Sequence, residues 1–225
     1  MPEVIFPGPT GRLEGRYQAA KRKGAPIAIL LHPHPQFGGT MNNPIVYNLF
    51  YNFVRRGFSV LRFNFRGVGR SQGTFDHGQG ELSDAAAALD WAQTINPEAR
   101  ACWITGVSFG AWIGMQLLMR RPEIEGFICI GAMANRYDFS FLAPCPSSGL
   151  FVHGSDDRVS PVNDVIPIIE KVKTQRGVVI DHAIIDGANH FFDNKIDELS
   201  GCVDSYLNKR LGSKLESFVQ DDPDQ

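Results

Sequence analysis

The stretch that decides the fold of this chain is Thr105-Gly106-Val107-Ser108-Phe109-Gly110-Ala111. An apolar run over residues 101–105 leads into this stretch, and a helix-forming run over residues 111–119 follows it. This order predicts a strand, a sharp turn and a helix, with Ser108 at the apex of the turn. Such a turn strains the serine backbone and needs glycine on both sides, because side chains there would collide with the neighbouring strand and helix. The hydroxyl of Ser108 is then expected to project beyond the end of the strand.

Apolar and amphipathic segments alternate along the rest of the chain, and they predict an α/β fold with a mostly parallel sheet covered by helices on both faces. Predicted strands lie at residues 4–6, 13–17, 25–31, 58–65, 101–105, 126–130, 150–153 and 178–185. Predicted helices lie at residues 43–56, 81–95, 111–119, 161–175 and 192–211. We expect one domain over residues 1–225, with its core at residues 25–212 and a C-terminal tail at residues 213–225.

The composition is that of an ordinary globular protein, with 22 Lys and Arg against 24 Asp and Glu and a net charge of −2. This balance gives no general electrostatic reason to bind nucleic acid or an anionic membrane. No signal-peptide pattern and no apolar run of membrane-spanning length are visible. The four cysteines show no Cys-x-x-Cys spacing, which is typical of reduced thiols, and we expect a cytoplasmic protein.

Chemically active residues follow several of the predicted strands. In a parallel sheet with helices on both faces, ligands bind outside the carboxyl ends of the strands. Ser108 follows one strand, the pair Asp156 and Asp157 follows another, and His190 follows the last. A hydroxyl, an acid and a histidine are therefore expected in one crevice.

This combination suits nucleophilic catalysis. A serine hydroxyl is a poor nucleophile at neutral pH and needs a base within hydrogen-bond reach, for which histidine has a suitable pKa. A carboxylate on the other ring nitrogen fixes the tautomer of the histidine and stabilises its charged form. We therefore expect Ser108 to be the nucleophile, His190 the base, and one of Asp156 and Asp157 the orienting acid.

The serine turn and the chain order Ser, Asp, His resemble the α/β-hydrolase superfamily over residues 27–211. More narrowly, three segments are similar to a little-characterised bacterial subgroup of inferred serine hydrolases: His32-Pro-His-Pro, Gly38-Gly-Thr-Met-Asn-Asn, and the run that begins at Arg62-Phe-Asn-Phe-Arg-Gly. The resemblance implies the α/β-hydrolase fold with an eight-stranded sheet, a catalytic serine, acid and histidine, and often esterase activity. It implies no particular substrate.

The resemblance also assigns finer roles. Superfamily loops of the form His-Gly-x-x-Asp-x-x-x-Pro match residues 153–161, which selects Asp157 as the acid and leaves Asp156 as a turn residue. An oxyanion that forms on acyl attack needs backbone N–H donors. The amide of Phe109, directly after the nucleophile, is one expected donor. The superfamily pattern implies the His34 amide as the second, although this loop is longer than usual and leaves residues 36–38 as alternatives.

The expected activity is that of a serine hydrolase that cleaves carboxylic esters or thioesters through an acyl-enzyme without a cofactor. A peptidase or lactonase with the same three residues is an alternative. Residues 131–149 are too few for a large lid, so we expect an open site and small or accessible acyl groups. Phe139, Phe141 and Leu142 are candidates for one wall of this site or for packing residues.

Other function classes also have candidate residues. His32 and His34 form a His-x-His pattern that suits a metal-dependent hydrolase, although no further ligand cluster accompanies it. A non-catalytic binding module on the same scaffold is a further alternative. The glycines of residues 67–73 do not open directly into a helix, which disfavours a dinucleotide site and favours a loop, residues 66–80, at the rim of the crevice. The sequence leaves open whether the chain forms a homodimer.

Overall fold

The computed structural model describes the backbone of residues 2–219 and the side chains of residues 2–212. Within the described residues, one sheet contains β1 (Glu3–Gly8), β2 (Gly11–Gln18), β3 (Ile27–Leu31), β4 (Ser59–Phe63), β5 (Cys102–Val107), β6 (Ile124–Ile130), β7 (Ser148–Gly154) and β8 (Ile180–Ile185). The strand order is β1-β2-β4-β3-β5-β6-β7-β8. β2 is antiparallel to both of its neighbours, and every other pair is parallel. The predicted mostly parallel, eight-stranded sheet is confirmed.

Five helices cover the sheet in the described part of the chain: α1 (Pro44–Arg55), α2 (Gln79–Ile95), α3 (Phe109–Leu118), α4 (Val162–Lys173) and α5 (Ile196–Val219). α1 and α5 pack on one face, and α2, α3 and α4 pack on the other. α5 continues beyond Leu211, where we expected it to end, so the backbone of the first seven residues of the predicted tail is helical. Residues 220–225 of that tail lie outside the described residues. None of the helices in the described chain is long and apolar enough to cross a membrane.

Local sequence explains how the segments beside the site begin and end. The side chain of Asn43 accepts hydrogen bonds from the amides of Ile45 (3.0 Å) and Val46 (3.4 Å) at the start of α1, and Pro44 occupies the first turn. Gly57 follows the helix with a φ of 75°, a conformation that favours glycine. α1 therefore returns the chain to β4 directly, and β4 lies beside β3 at the centre of the sheet.

Two apolar layers hold the sheet between the helices. Every residue of β3 is buried, as expected of a parallel strand that is covered on both faces. Large aromatic side chains fill both layers, among them Phe50, Phe53, Phe109 and Phe151. Burial of each such side chain stabilises the fold by roughly 1.5–3 kcal/mol. The loops of the site consequently begin at well-packed strand ends, namely the carboxyl ends of β3, β5, β6, β7 and β8.

The connection between β6 and β7 carries no lid. Its only helical element in the described structure is a short 3-10 turn at Ser140–Leu142. Phe139 and Leu142 are 2% and 1% exposed and belong to the core, and Phe141 packs against the same cluster. The interpretation of these three residues as a wall of the site is therefore wrong, and they are packing residues.

Candidate active site

Ser108 lies between β5 and α3 with a φ of 57° and a ψ of −115°. A positive φ is uncommon for a residue with a side chain, and such strain costs about 1–3 kcal/mol, which the surrounding structure must offset. The Ser108 amide donates to the carbonyl oxygen of Ile130 (2.8 Å), which ties the turn to the end of β6. A Cβ on Gly110 would lie 2.5 Å from the carbonyl oxygen of Leu31, so only glycine lets α3 pack this closely on β3.

Three residues that are far apart in the chain meet at this turn. His190 Nε2 lies 3.0 Å from Ser108 Oγ, and His190 Nδ1 lies 2.7 Å from Asp157 Oδ2. The three are between 5% and 7% exposed, so bulk water competes little for these hydrogen bonds. Asp157 follows β7 and His190 follows β8, as the strand ends predicted.

The surroundings of Asp157 make it an acceptor. Its Oδ1 accepts hydrogen bonds from the amides of Val159 (2.9 Å) and Ser160 (2.8 Å), which leaves Oδ2 for His190. Burial alone would raise the pKa of Asp157, but the hydrogen bonds from His190 and from the Ser160 amide outweigh burial and lower this pKa. An ionised carboxylate requires the hydrogen on His190 Nδ1, so His190 Nε2 is free to accept the proton of the serine.

Asp156, the other candidate acid, does not contact His190. Its side chain is exposed, and its Oδ1 accepts a hydrogen bond from Ser155 Oγ (3.2 Å). Its backbone amide donates to the carbonyl oxygen of Ala188 (3.0 Å), which links the loops after β7 and β8. Of the two aspartates, the structure therefore brings only Asp157 to the serine and the histidine.

The amides of Phe109 and His34 lie on adjacent segments, since their rings are 4.9 Å apart between centroids. Among the described residues, neither amide donates to a protein acceptor. The alternative donors Gln36 and Phe37 are both used inside the loop, because their amides donate to His34 Nδ1 (3.2 Å) and to the His34 carbonyl oxygen (3.1 Å). The contacts therefore favour His34 over these two as the partner of Phe109, whereas the Gly38 amide, like that of His34, donates to no protein acceptor among the described residues and stays an alternative.

His32 is a structural residue rather than a free ligand. It is fully buried, its Nδ1 lies 2.6 Å from the carbonyl oxygen of Pro33, and its Nε2 accepts from the Phe65 amide (3.0 Å). Burial lowers its pKa to about 4, so the ring is neutral near pH 7. Because both ring nitrogens are used, His32 cannot join His34 in the proposed His-x-His metal site. Instead it ties the loop after β3 to the loop after β4.

The glycine-rich loop at residues 66–80 supports the His34 loop from behind. The ring of Phe75 lies 4.8 Å from that of His34 and 5.9 Å from that of Phe109. Glu81 accepts hydrogen bonds from the amides of Asp76 (2.9 Å) and Gly78 (2.7 Å), which fixes the loop against the start of α2. No residue of the loop lines the cleft above Ser108, and the loop contacts the cleft wall only through residues such as Phe75, which packs on His34.

A cleft of about 320 Å³ opens above Ser108. The residues that line it lie at the carboxyl ends of β3, β5, β6, β7 and β8, in the loops that follow these strands, or at the start of α1. They are Pro33, His34, Phe37, Gly38, Gly39, Asn43, Ile45, Val107, Ser108, Met133, Arg136, Tyr137, Val159, His190 and Phe191. The sulfur of Met133 lies 3.0 Å from Ser108 Oγ, directly against the hydroxyl. At the mouth, Phe37 and Phe191 are 78% and 61% exposed.

Sequence reasoning missed Met133, Arg136 and Tyr137, which follow β6. The signal that could have found them is the same one that found Asp157 and His190, namely their position after the carboxyl end of a parallel strand. Their residue types match no catalytic motif, so the sequence did not identify the segment after β6 as part of the site.

The sequence matches known proteins along most of its length. The profile of the X-Pro dipeptidyl-peptidase (S15) family matches residues 12–148, which include Ser108 but not Asp157 or His190. The uncharacterized protein RP471 of Rickettsia prowazekii is 51% identical over 211 residues, which cover 92% of this chain and 89% of that protein.

Solved structures share the fold. A protein of unknown function from Agrobacterium tumefaciens, ATU1826, proposed to be an α/β-hydrolase, is 66% identical with a TM-score of 0.93, and the match covers 95% of this chain and 98% of that one. XC6422 of Xanthomonas campestris, described as an α/β serine hydrolase without a lid, is 28% identical with a TM-score of 0.83, over 92% and 94% of the two chains.

Proposed function

Because this chain belongs to the X-Pro dipeptidyl-peptidase (S15) family and is a hydrolase with the α/β-hydrolase fold, we propose that it cleaves carboxylic esters or thioesters through an acyl-enzyme on Ser108. One observation carries this proposal: the continuous chain of hydrogen bonds from Ser108 Oγ through His190 to Asp157. This is the arrangement that activates a serine as a nucleophile.

The proposed reaction has two halves. Ser108 Oγ attacks the acyl carbon while its proton moves to His190 Nε2, and Asp157 stabilises the charged imidazole. The amides of Phe109 and His34 donate to the oxyanion of the tetrahedral intermediate, and each such donor is worth about 3–4 kcal/mol. The bond to the leaving group then breaks as His190 returns the proton to the departing alcohol or thiol. Water, deprotonated by His190, attacks the acyl-enzyme in the same way and releases the acid and free Ser108.

The family match makes a peptidase the second candidate. A dipeptidyl-peptidase must hold the charged amino terminus of its substrate, which calls for a carboxylate in the site. Among the described residues, no Asp or Glu lines the cleft, and Arg136 does. A cationic cleft disfavours a substrate with an ammonium group near the scissile bond, so an ester or thioester is the better candidate.

The shape of the cleft limits the acyl group. No lid covers it, and the sulfur of Met133, 3.0 Å from Ser108 Oγ, bounds the space on one side of this hydroxyl. We therefore propose small acyl groups, or larger ones that extend toward the open mouth between Phe37 and Phe191.

Steady-state kinetics with three substrates test the proposal: a short p-nitrophenyl ester, a matching acyl thioester and an Xaa-Pro p-nitroanilide. We expect kcat/KM to be higher for the ester and thioester than for the anilide, and Ser108→Ala to abolish turnover. Ser83→Ala removes an exposed hydroxyl from α2, outside the cleft, and serves as the matched control with full activity. Ester turnover that survives in Ser108→Ala would contradict the serine mechanism, and preferential cleavage of the anilide would favour the peptidase.

A further inference from the structure

The cleft above Ser108 carries one charged side chain whose role the triad does not explain. Of its lining residues in the described structure, Arg136 is the only Lys or Arg, and no lining residue is acidic. Within the same part of the chain, the Arg136 guanidinium has neither an ion pair nor a hydrogen bond to protein. An unpaired cation beside a predominantly apolar surface is an available partner for an anion.

The backbone at Arg136 is fixed on both sides. Its amide donates to the Met133 carbonyl oxygen (3.0 Å), and the next residue, Tyr137, stacks on Trp112 with ring centroids 4.4 Å apart. On the other side, Asn135 Nδ2 donates to the Val159 carbonyl oxygen (2.8 Å) in the loop that carries Asp157. The backbone at Arg136 is thus attached to both the helix that follows Ser108 and the loop that carries Asp157, so the exposed Arg136 side chain starts from a fixed Cα position beside the cleft.

The electrostatic surroundings of His34 also indicate a positive charge on this side of the cleft. Burial lowers the pKa of His34, and the positive charges of Arg136 and His77 lower it further. The positive charge of Arg136 therefore acts on the loop whose His34 amide is the proposed oxyanion donor.

We propose that Arg136 is a specificity-determining residue that selects substrates with a carboxylate, or an anion of similar size, a few bonds from the scissile ester or thioester. The apolar part of such a substrate packs against Phe37 and Phe191 at the mouth, and its anion pairs with the guanidinium. The preferred substrates are then esters or thioesters that carry negative charge. This inference rests on the proposed serine hydrolase function and names its substrate class.

Two pairs of esters test it, each pair differing only in a carboxylate against its uncharged amide. The first pair places the group on the acyl side: the mono-p-nitrophenyl ester of adipic acid and the same ester with the free acid converted to the amide. The second pair places it on the leaving group: the acetate of 4-hydroxyphenylacetic acid and the acetate of the corresponding amide. The measured quantity is the ratio of kcat/KM between the charged and uncharged members of a pair.

We expect the natural enzyme to prefer the carboxylate in at least one pair by about 10-fold, the size of one charge-assisted hydrogen bond. Arg136→Gln should remove this preference, Arg136→Lys should keep part of it, and added salt should weaken it. Arg176→Gln is the matched control, because it removes the same charge from an exposed position after α4 that does not line the cleft. This variant should keep the preference.

A preference that persists in Arg136→Gln would overturn the inference. Equal rates within both pairs would overturn it too, while leaving the serine hydrolase function intact. If the natural enzyme turns over none of the four esters, the proposed function fails together with the inference. The outcomes for the substrate class and for the reaction itself are therefore distinguishable.

Discussion

Replacement of His32 by phenylalanine should remove part of the pH dependence of folding stability. The pKa of His32 in the folded protein is about 4, against an ordinary value of 6.5, because burial disfavours the charged ring. Below pH 6.5 the His32 ring therefore becomes protonated in the unfolded chain, whereas it stays neutral in the folded protein. The free energy of unfolding must fall as the pH drops from about 6.5 toward 4.

The size of this effect follows from the two pKa values. One pKa unit corresponds to about 1.4 kcal/mol, so between pH 7 and pH 5 this one ring should lower the free energy of unfolding by about 2 kcal/mol. His153 is also buried, with a pKa lowered to about 4, and should contribute a similar amount. The Phe variant should therefore lose about 2 kcal/mol less stability than the natural protein over this interval.

His32→Phe should also lower the free energy of unfolding by an amount that does not depend on pH. Phenylalanine fills the space of the ring but leaves the Phe65 amide and the Pro33 carbonyl oxygen without their partners. Unpaired buried groups of this kind cost about 1–3 kcal/mol each, so His32→Phe should already be less stable at pH 7. His153→Leu is an informative comparison, because the His153 ring is also fully buried and its pKa is also lowered to about 4, so this variant too should lose less stability on acidification.

Urea unfolding followed by tryptophan fluorescence at pH 7 and pH 5 gives these values for the natural protein and both variants. A smaller loss of stability on acidification in each variant is the expected result. If His32→Phe loses as much stability as the natural protein between the two pH values, then His32 is not held neutral by the fold and the reasoning is refuted.

Two further substitutions test the arrangement around the site. Asp157→Asn should lower kcat for ester hydrolysis by about 10³–10⁴-fold, because an amide no longer holds His190 in the required tautomer. Asp156→Asn should change kcat little. Equal losses of kcat in both variants would contradict the assignment of Asp157 as the acid. Asp84→Ala should lower the free energy of unfolding by about 3–5 kcal/mol, because it leaves the Arg66 guanidinium buried without the carboxylate that lies 2.7 Å from it. An unfolding free energy within 1 kcal/mol of that of the natural protein would show that this pair does not hold the loop before α2.

Much of the site was predictable because it depends on strand ends. The apolar runs placed the carboxyl ends of β5, β7 and β8, and chemistry then selected Ser108 and His190 from the residues that follow. The choice between Asp156 and Asp157 needed the resemblance to a family, because both follow the same strand and only backbone geometry decides which one turns toward the histidine.

Other features could not be predicted because the same residue type serves two purposes. An aromatic side chain after a strand can line a cleft or fill the core, and Phe139 does the second while Phe37 does the first. His32 and His34 illustrate the same limit for histidine. His32 bridges two loops through both ring nitrogens, and His34 packs its ring among Phe37, Phe75 and Phe109 beside Ser108.

The most direct test of the central claim is the site of covalent labelling by a fluorophosphonate, mapped by mass spectrometry on the intact protein and its peptides. This reagent reacts with a serine only when the hydroxyl is activated by a base beside it. The structure predicts a single adduct on Ser108, and strongly reduced labelling in His190→Ala. An unmodified protein, or an adduct on another residue, would contradict the account.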